Sequence, residues 1–100
     1  MIRKAPLDCA SMADLRAEID SLDRELVGLL AERAGYIDRA VTLKQQENLH
    51  ARITPRVEQV VGNVRAAAAT KKLDADLIEK LWRDLIEWSI AREAKHIPEG

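Results

Sequence analysis

Two cations fall on the apolar side of one long helical repeat. Counting 100° per residue from Leu15, Leu26 lies at about 20° and Ile37 at about 40°, while Arg33 lands at about 0° and Lys44 at about 20°. An arginine on a core stripe is costly unless it meets an anion. The two cations stand about three turns, ~16 Å, apart, too far for one internal carboxylate to satisfy both. A later segment carries Ile78, Leu81, Trp82 and Leu85 on one face, and the same face continues into Ser89, Arg92, Glu93 and His96. Arg56 follows Pro55, and Arg16 sits on the margin of the first stripe, at about 100°. Such a set suits a pocket for a small dianion, in which arginine supplies a bidentate fork and lysine a mobile point charge. The structural alternative is that these long cations bury their stems and wet their heads. Arg33 would then pair with Glu93 or Glu87, and Lys44 would simply mark a fraying helix end.

The elements that must position these residues can be read from caps and spacing. Ser11-Met12-Ala13-Asp14 reads as a capping box. Behind it, Leu15, Ile19, Leu22, Leu26, Leu29, Leu30, Ile37, Ala40 and Val41 recur at steps of three and four. The spacing predicts a helix over about residues 11–46, ~50 Å long. A compact chain of this size is only about 35 Å across, so the helix would overhang its own domain. A partner chain covering the overhang, hence an entwined homodimer, is the economical solution. The alternative is a kink at Gly28 or Gly35. Residues 47–54 lose the period and read as a loop. Thr54-Pro55 is expected as N-cap and first helical residue. A second helix over about 55–70 presents Val57, Val60, Val61, Val64 and Ala68 on one face. Asp74 is the next N-cap. A third helix over about 74–96 turns Leu77, Ile78, Leu81, Trp82, Leu85 and Ile86 inward, and Pro98 stops it. The expectation is an all-α single domain, residues 1–100, of one long and two shorter helices.

Composition narrows the function. The 100 residues are 47% hydrophobic and 33% charged, with a formal net charge of −1. That balance suits a folded soluble chain and lacks the positive excess of a nucleic-acid or anionic-membrane binder. No membrane span and no signal peptide are expected, so the chain is placed in the cytoplasm. The single cysteine, Cys9, forms no internal disulfide and is read as a packing residue. His50 and His96 are far apart and no paired-cysteine spacing occurs, so no metal is expected. No glycine-rich phosphate loop is present. Trp82 is expected in the core and Trp88 at the dimer contact.

These residues together resemble the all-helical chorismate mutases and their relatives, the isochorismate pyruvate lyases. The likeness spans about residues 8–96. It is carried by Asp14-Leu15-Arg16-Ala17-Glu18-Ile19-Asp20-Ser21-Leu22-Asp23, Leu29-Leu30-Ala31-Glu32-Arg33, Lys44, Pro55-Arg56-Val57 and Leu85-Ile86-Glu87-Trp88-Ser89. The resemblance implies an entwined dimer of three-helix subunits. It also implies roles. Arg16 would reach the partner subunit's site and bind a substrate carboxylate, and Arg33 would bind a carboxylate within its own subunit. Lys44 would contact the ether oxygen and a carboxylate. Arg56 would line the rim, Ser89 would contact a carboxylate, and Glu93 would stand where bacterial members carry a glutamine that donates to the ether oxygen. No nucleophile, metal or cofactor would be needed to convert chorismate to prephenate.

Two departures bear on this expectation. Glu93 would donate to the ether oxygen only when protonated, which implies activity rising toward acid pH. Val57 stands where typical mutases carry an acidic residue, and Ile53 replaces another polar loop residue. These positions and the Asp8-Cys9 lead-in look closer to the lyase branch, which forms salicylate from isochorismate. The expected function is chorismate mutase, with lyase activity as the alternative. A non-catalytic helical dimer that binds an anion or a partner is the second alternative.

Overall fold

The computed structural model describes residues 2–100. Among them the chain forms a 3-10 turn, Pro6–Asp8, and three α-helices: α1 (Met12–Gln46), α2 (Thr54–Thr70) and α3 (Ala75–Glu93). The all-α architecture is as expected. By its internal contacts the chain divides into two compact units, one ending at Gly35 and one spanning Tyr36–Gly100.

In the first unit the cap of α1 is built by local polar side chains. Ser11 Oγ accepts from the Asp14 amide at 3.1 Å. Asp14 reaches back to the amide of Ala10 at 3.2 Å, one residue further out than a capping box requires. The leading segment is tied along the helix by an Arg3–Glu25 ion pair and by the Lys4 amide on Glu18 at 3.3 Å. Cys9 is half-buried, with Sγ 3.8 Å from the Ala5 carbonyl. None of the residues of α1 is buried in the isolated chain, and Ile19, Leu22, Leu26, Leu29 and Leu30 are all more than a third exposed.

The second unit carries the core. Val61 and Ala68 of α2 and Ile86 and Ile90 of α3 are buried, as are Ala51 before α2 and Ile97 after α3. Val41, Val57, Val60, Trp82 and Ala94 pack against the main cluster of these residues. This matches the valine face expected of α2. Leu77 and Leu81, expected inward, are instead about half exposed, because the packed face of α3 is the one through Trp82, Ile86 and Ile90. Ion pairs lace α2 to α3: Arg65 meets Asp76 and Glu79, and Glu58 meets Arg83, which also pairs with Glu79 one turn earlier on α3. Arg83 holds the carboxyl of Glu58 below its ordinary value, and that of Glu79 likewise.

Two helix boundaries differ from expectation. The N-cap of α2 is Ile53, not Thr54, so Pro55 is the second helical residue rather than the first. The reason is visible in the backbone: the Ile53 carbonyl accepts the amides of Arg56 and Val57 at 2.9 and 3.0 Å, and Ile53 itself is extended. Helix α3 ends at Glu93 rather than near His96. There the Glu93 carbonyl takes the amides of both His96 and Ile97, at 3.0 and 3.2 Å, and the turn brings Ile97 into the core. The start of α3 is as expected, with Asp74 accepting from the amides of Asp76 and Leu77 at 2.9 and 3.2 Å.

Candidate functional site

The end of α1 is closed by backbone geometry that sequence pattern alone did not show. Asn48 adopts a left-handed conformation, φ 57°. The Leu49 amide then bonds the Lys44 carbonyl at 2.8 Å, and the Asn48 amide bonds the Gln45 carbonyl at 3.4 Å. This is a Schellman closure, which satisfies carbonyls the helix would otherwise leave open. Lys44 is therefore fixed in the last turn and is no fraying end.

From that anchor the Lys44 side chain, about 19% exposed, reaches α3. Its Nζ donates to Glu93 Oε1 at 2.6 Å and to the Ala51 carbonyl at 2.8 Å. Glu93 is 4% exposed and Ser89, one turn earlier on the same helix, is equally buried. A charge-assisted bond of this length in a partly dry setting is among the stronger polar contacts a protein makes. The Ser89 hydroxyl donates to the Leu85 carbonyl at 2.9 Å. Buried serine and glutamate on the apolar face of α3 are what a packed core would exclude without a polar partner. No buried side-chain nitrogen or oxygen lacks a hydrogen bond among the described residues.

The remaining sequence-derived residues divide. Arg56 is exposed at the first turn of α2 and donates to Gln59 Oε1 at 2.9 Å. Arg16, exposed, and Arg33, half-buried, belong to the first unit. In the second unit Glu93 meets Lys44, and Glu87 forms a two-pronged pair with Arg52 at 2.8 and 2.7 Å. Arg92, in the last turn of α3, and His96, beyond its end, fall away from the Lys44–Glu93 pair. They line a recess with Asp38, Val41 and Lys95. There Arg92 forks onto Asp38 at 2.6 and 2.9 Å and lies 5.2 Å from the centre of the Trp88 ring. That fork holds the Asp38 carboxyl below its ordinary value. The half-exposed Trp88 thus has a cation partner within its own chain.

Sequence reasoning missed Ala51 and Arg52. A backbone carbonyl leaves no trace in residue type, and Arg52 lies in a loop with no period to mark it as exceptional. Chemically, the assembled centre offers a positioned ammonium, a buried carboxyl that is a donor or an acceptor according to its protonation, and a neighbouring hydroxyl. Among the described residues no group of three or more His, Cys, Asp or Glu is arranged to hold a metal, and no helix is long and apolar enough to cross a membrane.

A family profile described as chorismate mutase type II matches residues 15–94. The isochorismate pyruvate lyase of Pseudomonas aeruginosa is 34% identical over 96 residues, covering 93% of this chain and 91% of that protein. The T-protein of Haemophilus influenzae is 36% identical over 83 residues, which is 83% of this chain but only 22% of the length of that protein.

Proposed function

This chain belongs to the chorismate mutase type II family, and we propose that it converts chorismate to prephenate by a pericyclic rearrangement. The observation that carries the reading is the Lys44 ammonium held by Glu93 and the Ala51 carbonyl. In the rearrangement a carbon–oxygen bond breaks as a carbon–carbon bond forms, and the ether oxygen gains negative charge in the transition state. A cation already in place stabilises that charge without reorganising at the moment of reaction. Arg33, with Arg16 from a partner subunit, would grip the two carboxylates and hold the compact conformer. Ser89 would add a hydroxyl to one carboxylate, and Arg56 would line the rim. Glu93 would donate to the ether oxygen in its protonated form; ionised, it would oppose the developing charge.

The reading includes a homodimer. The apolar side chains that α1 leaves exposed, Ile19, Leu22, Leu26, Leu29 and Leu30, support it. Covering the exposed part of each would contribute about 1 kcal/mol per side chain. The cytoplasm is the proposed compartment.

A second reading is elimination of pyruvate from isochorismate to give salicylate. Two observations favour it: the lyase from Pseudomonas aeruginosa aligns over nearly its whole length, and Val57 is apolar where an acidic side chain would bind the ring hydroxyl of chorismate. A paired assay separates the two. Purified protein is given chorismate or isochorismate at about pH 5 and 7.5, bracketing the carboxylate-to-neutral range, with prephenate and salicylate measured as products. Prephenate formed faster in acid supports the mutase. Dominant salicylate replaces it with the lyase, and no product from either overturns both.

A further inference from the structure

The peptide group joining Ala51 to Arg52 is held at both ends. Its carbonyl, that of Ala51, accepts from Lys44 Nζ at 2.8 Å, and its amide, that of Arg52, donates to the Glu99 carbonyl at 2.6 Å. The preceding amide, that of Ala51, donates to the Pro98 carbonyl at 2.8 Å. The peptide is planar, so fixing its N–H fixes the direction of its C=O. The Arg52 side chain then grips the same neighbours. It forks onto Glu87 of α3 at 2.8 and 2.7 Å and reaches Glu99 of the tail at 3.2 Å. Ala51 is buried although it belongs to a loop, and Ile97 anchors the tail in the core.

An ammonium has three N–H donors on a flexible stem. Glu93 alone would let it pivot. With Glu93 and the Ala51 carbonyl both accepting, two donor directions are set, and tetrahedral geometry sets the third. We propose that Arg52 is a positioning residue for Lys44: by clamping the loop to α3 and to the tail, it aims the Ala51 carbonyl and thereby the third N–H of the ammonium. The inference rests on the reading of Lys44 as the cation that meets substrate. The Glu87 fork, with Glu99 adding to it, raises the Arg52 guanidinium further above its ordinary value, and the same fork holds the Glu87 carboxyl below its own. Both shifts agree with a clamp that stays charged throughout the neutral range.

The test is kinetic, on the full chain, with whichever of chorismate or isochorismate it converts. Arg52→Ala should lower kcat about tenfold to a hundredfold, the scale of a misplaced catalytic group, with KM within about twofold of wild type. Arg52→Lys should fall between, since lysine lacks the planar fork. Glu99→Gln, which loosens the tail without touching α3, should lower kcat in the same sense and guards against a misfolded Arg52→Ala. In a Lys44→Gln background Arg52→Ala should cause no further loss. An unchanged kcat in Arg52→Ala, or the same fold-loss with and without Lys44, overturns the proposal. A second readout does not depend on turnover: the carbon-13 resonance of Lys44 Cε should move toward that of a free lysine in Arg52→Ala, and an unmoved resonance also overturns it. If the wild type converts neither substrate, the functional reading falls, while this spectrum still decides the positioning role.

Discussion

Lys44 and Leu49 are joined by a 2.8 Å bond from the Leu49 amide to the Lys44 carbonyl. The residue whose ammonium centres the candidate site therefore also closes its own helix. The closure depends on Asn48 at φ 57°, a conformation that glycine and asparagine tolerate and β-branched residues do not. Asn48→Val should destabilise the protein by about 1–2 kcal/mol and lower turnover beyond what the loss of folded protein explains. Asn48→Gly should leave both nearly unchanged. Denaturant unfolding alongside kcat checks the pair; a Val variant as stable and active as wild type would refute it.

Surface carboxylates make stability depend on pH. Asp38, Glu58, Glu79 and Glu87 are each held below their ordinary values, chiefly by hydrogen bonds from Arg92, Arg83, Arg83 and Arg52 respectively. A depressed folded-state pKa means the unfolded chain takes up protons first as pH falls. The stabilisation is complete above the ordinary carboxylate range and is lost as pH drops through the lowered values. The thermal midpoint should fall steadily below about pH 4.5, the ordinary glutamate value. Because Asp38, Glu58 and Glu87 are exposed and Glu79 is only half-buried, the slope should shrink in about 1 M salt, where the screening length is about 3 Å. Asp38→Asn should flatten the curve further. Calorimetry from pH 3 to 7 measures it, and a midpoint independent of pH over that range would contradict the assignment.

The three helices were legible because a 3.6-residue repeat and local caps at Ser11 and Asp74 write themselves into residue type. Lys44, Ser89 and Glu93 were legible for the opposite reason: polar residues on an apolar face demand an explanation, and the structure brings Lys44 and Glu93 into contact. The Ala51 carbonyl and the grip of Arg52 were not legible, since backbone acceptors and long-range loop contacts have no period. Boundaries slipped at Thr54 and His96 because they depend on which carbonyl wins a particular amide, which residue type does not record.

The exposed leucines of α1 bear on assembly. Leu26 is 49% exposed and Leu30 is 44% exposed on a helix with no buried residue. A dimer built on this stripe should lose about 1–3 kcal/mol or more when a charge is placed there, through lost burial and charge desolvation. Leu26→Glu should shift the protein toward monomer in sedimentation at micromolar concentration and reduce activity with it, since Arg16 is proposed to serve the partner subunit. A monomeric wild type, or a Leu26→Glu variant that remains dimeric, would count against the assembly.

Under the proposed mutase reading, Glu93 would set the pH dependence of turnover. Only a protonated carboxyl would donate to the ether oxygen, whereas toward Lys44 Nζ, at 2.6 Å, Glu93 is an acceptor. A single required proton makes log kcat/KM fall with a slope of about −1 per pH unit on the alkaline limb. Glu93→Gln keeps the shape and supplies an N–H at every pH, so its profile should be flat from about pH 5 to 8 and lie above wild type at the alkaline end, by up to the ~100-fold that one well-placed donor contributes. The same variant removes the anion beside Lys44, so it should also lose stability, in the opposite sense to its gain in rate at neutral pH. Steady-state rates for both proteins across that range measure the effect. Parallel profiles for wild type and Glu93→Gln would show that the proton at Glu93 takes no part, and would leave Lys44 as the sole group acting on the ether oxygen.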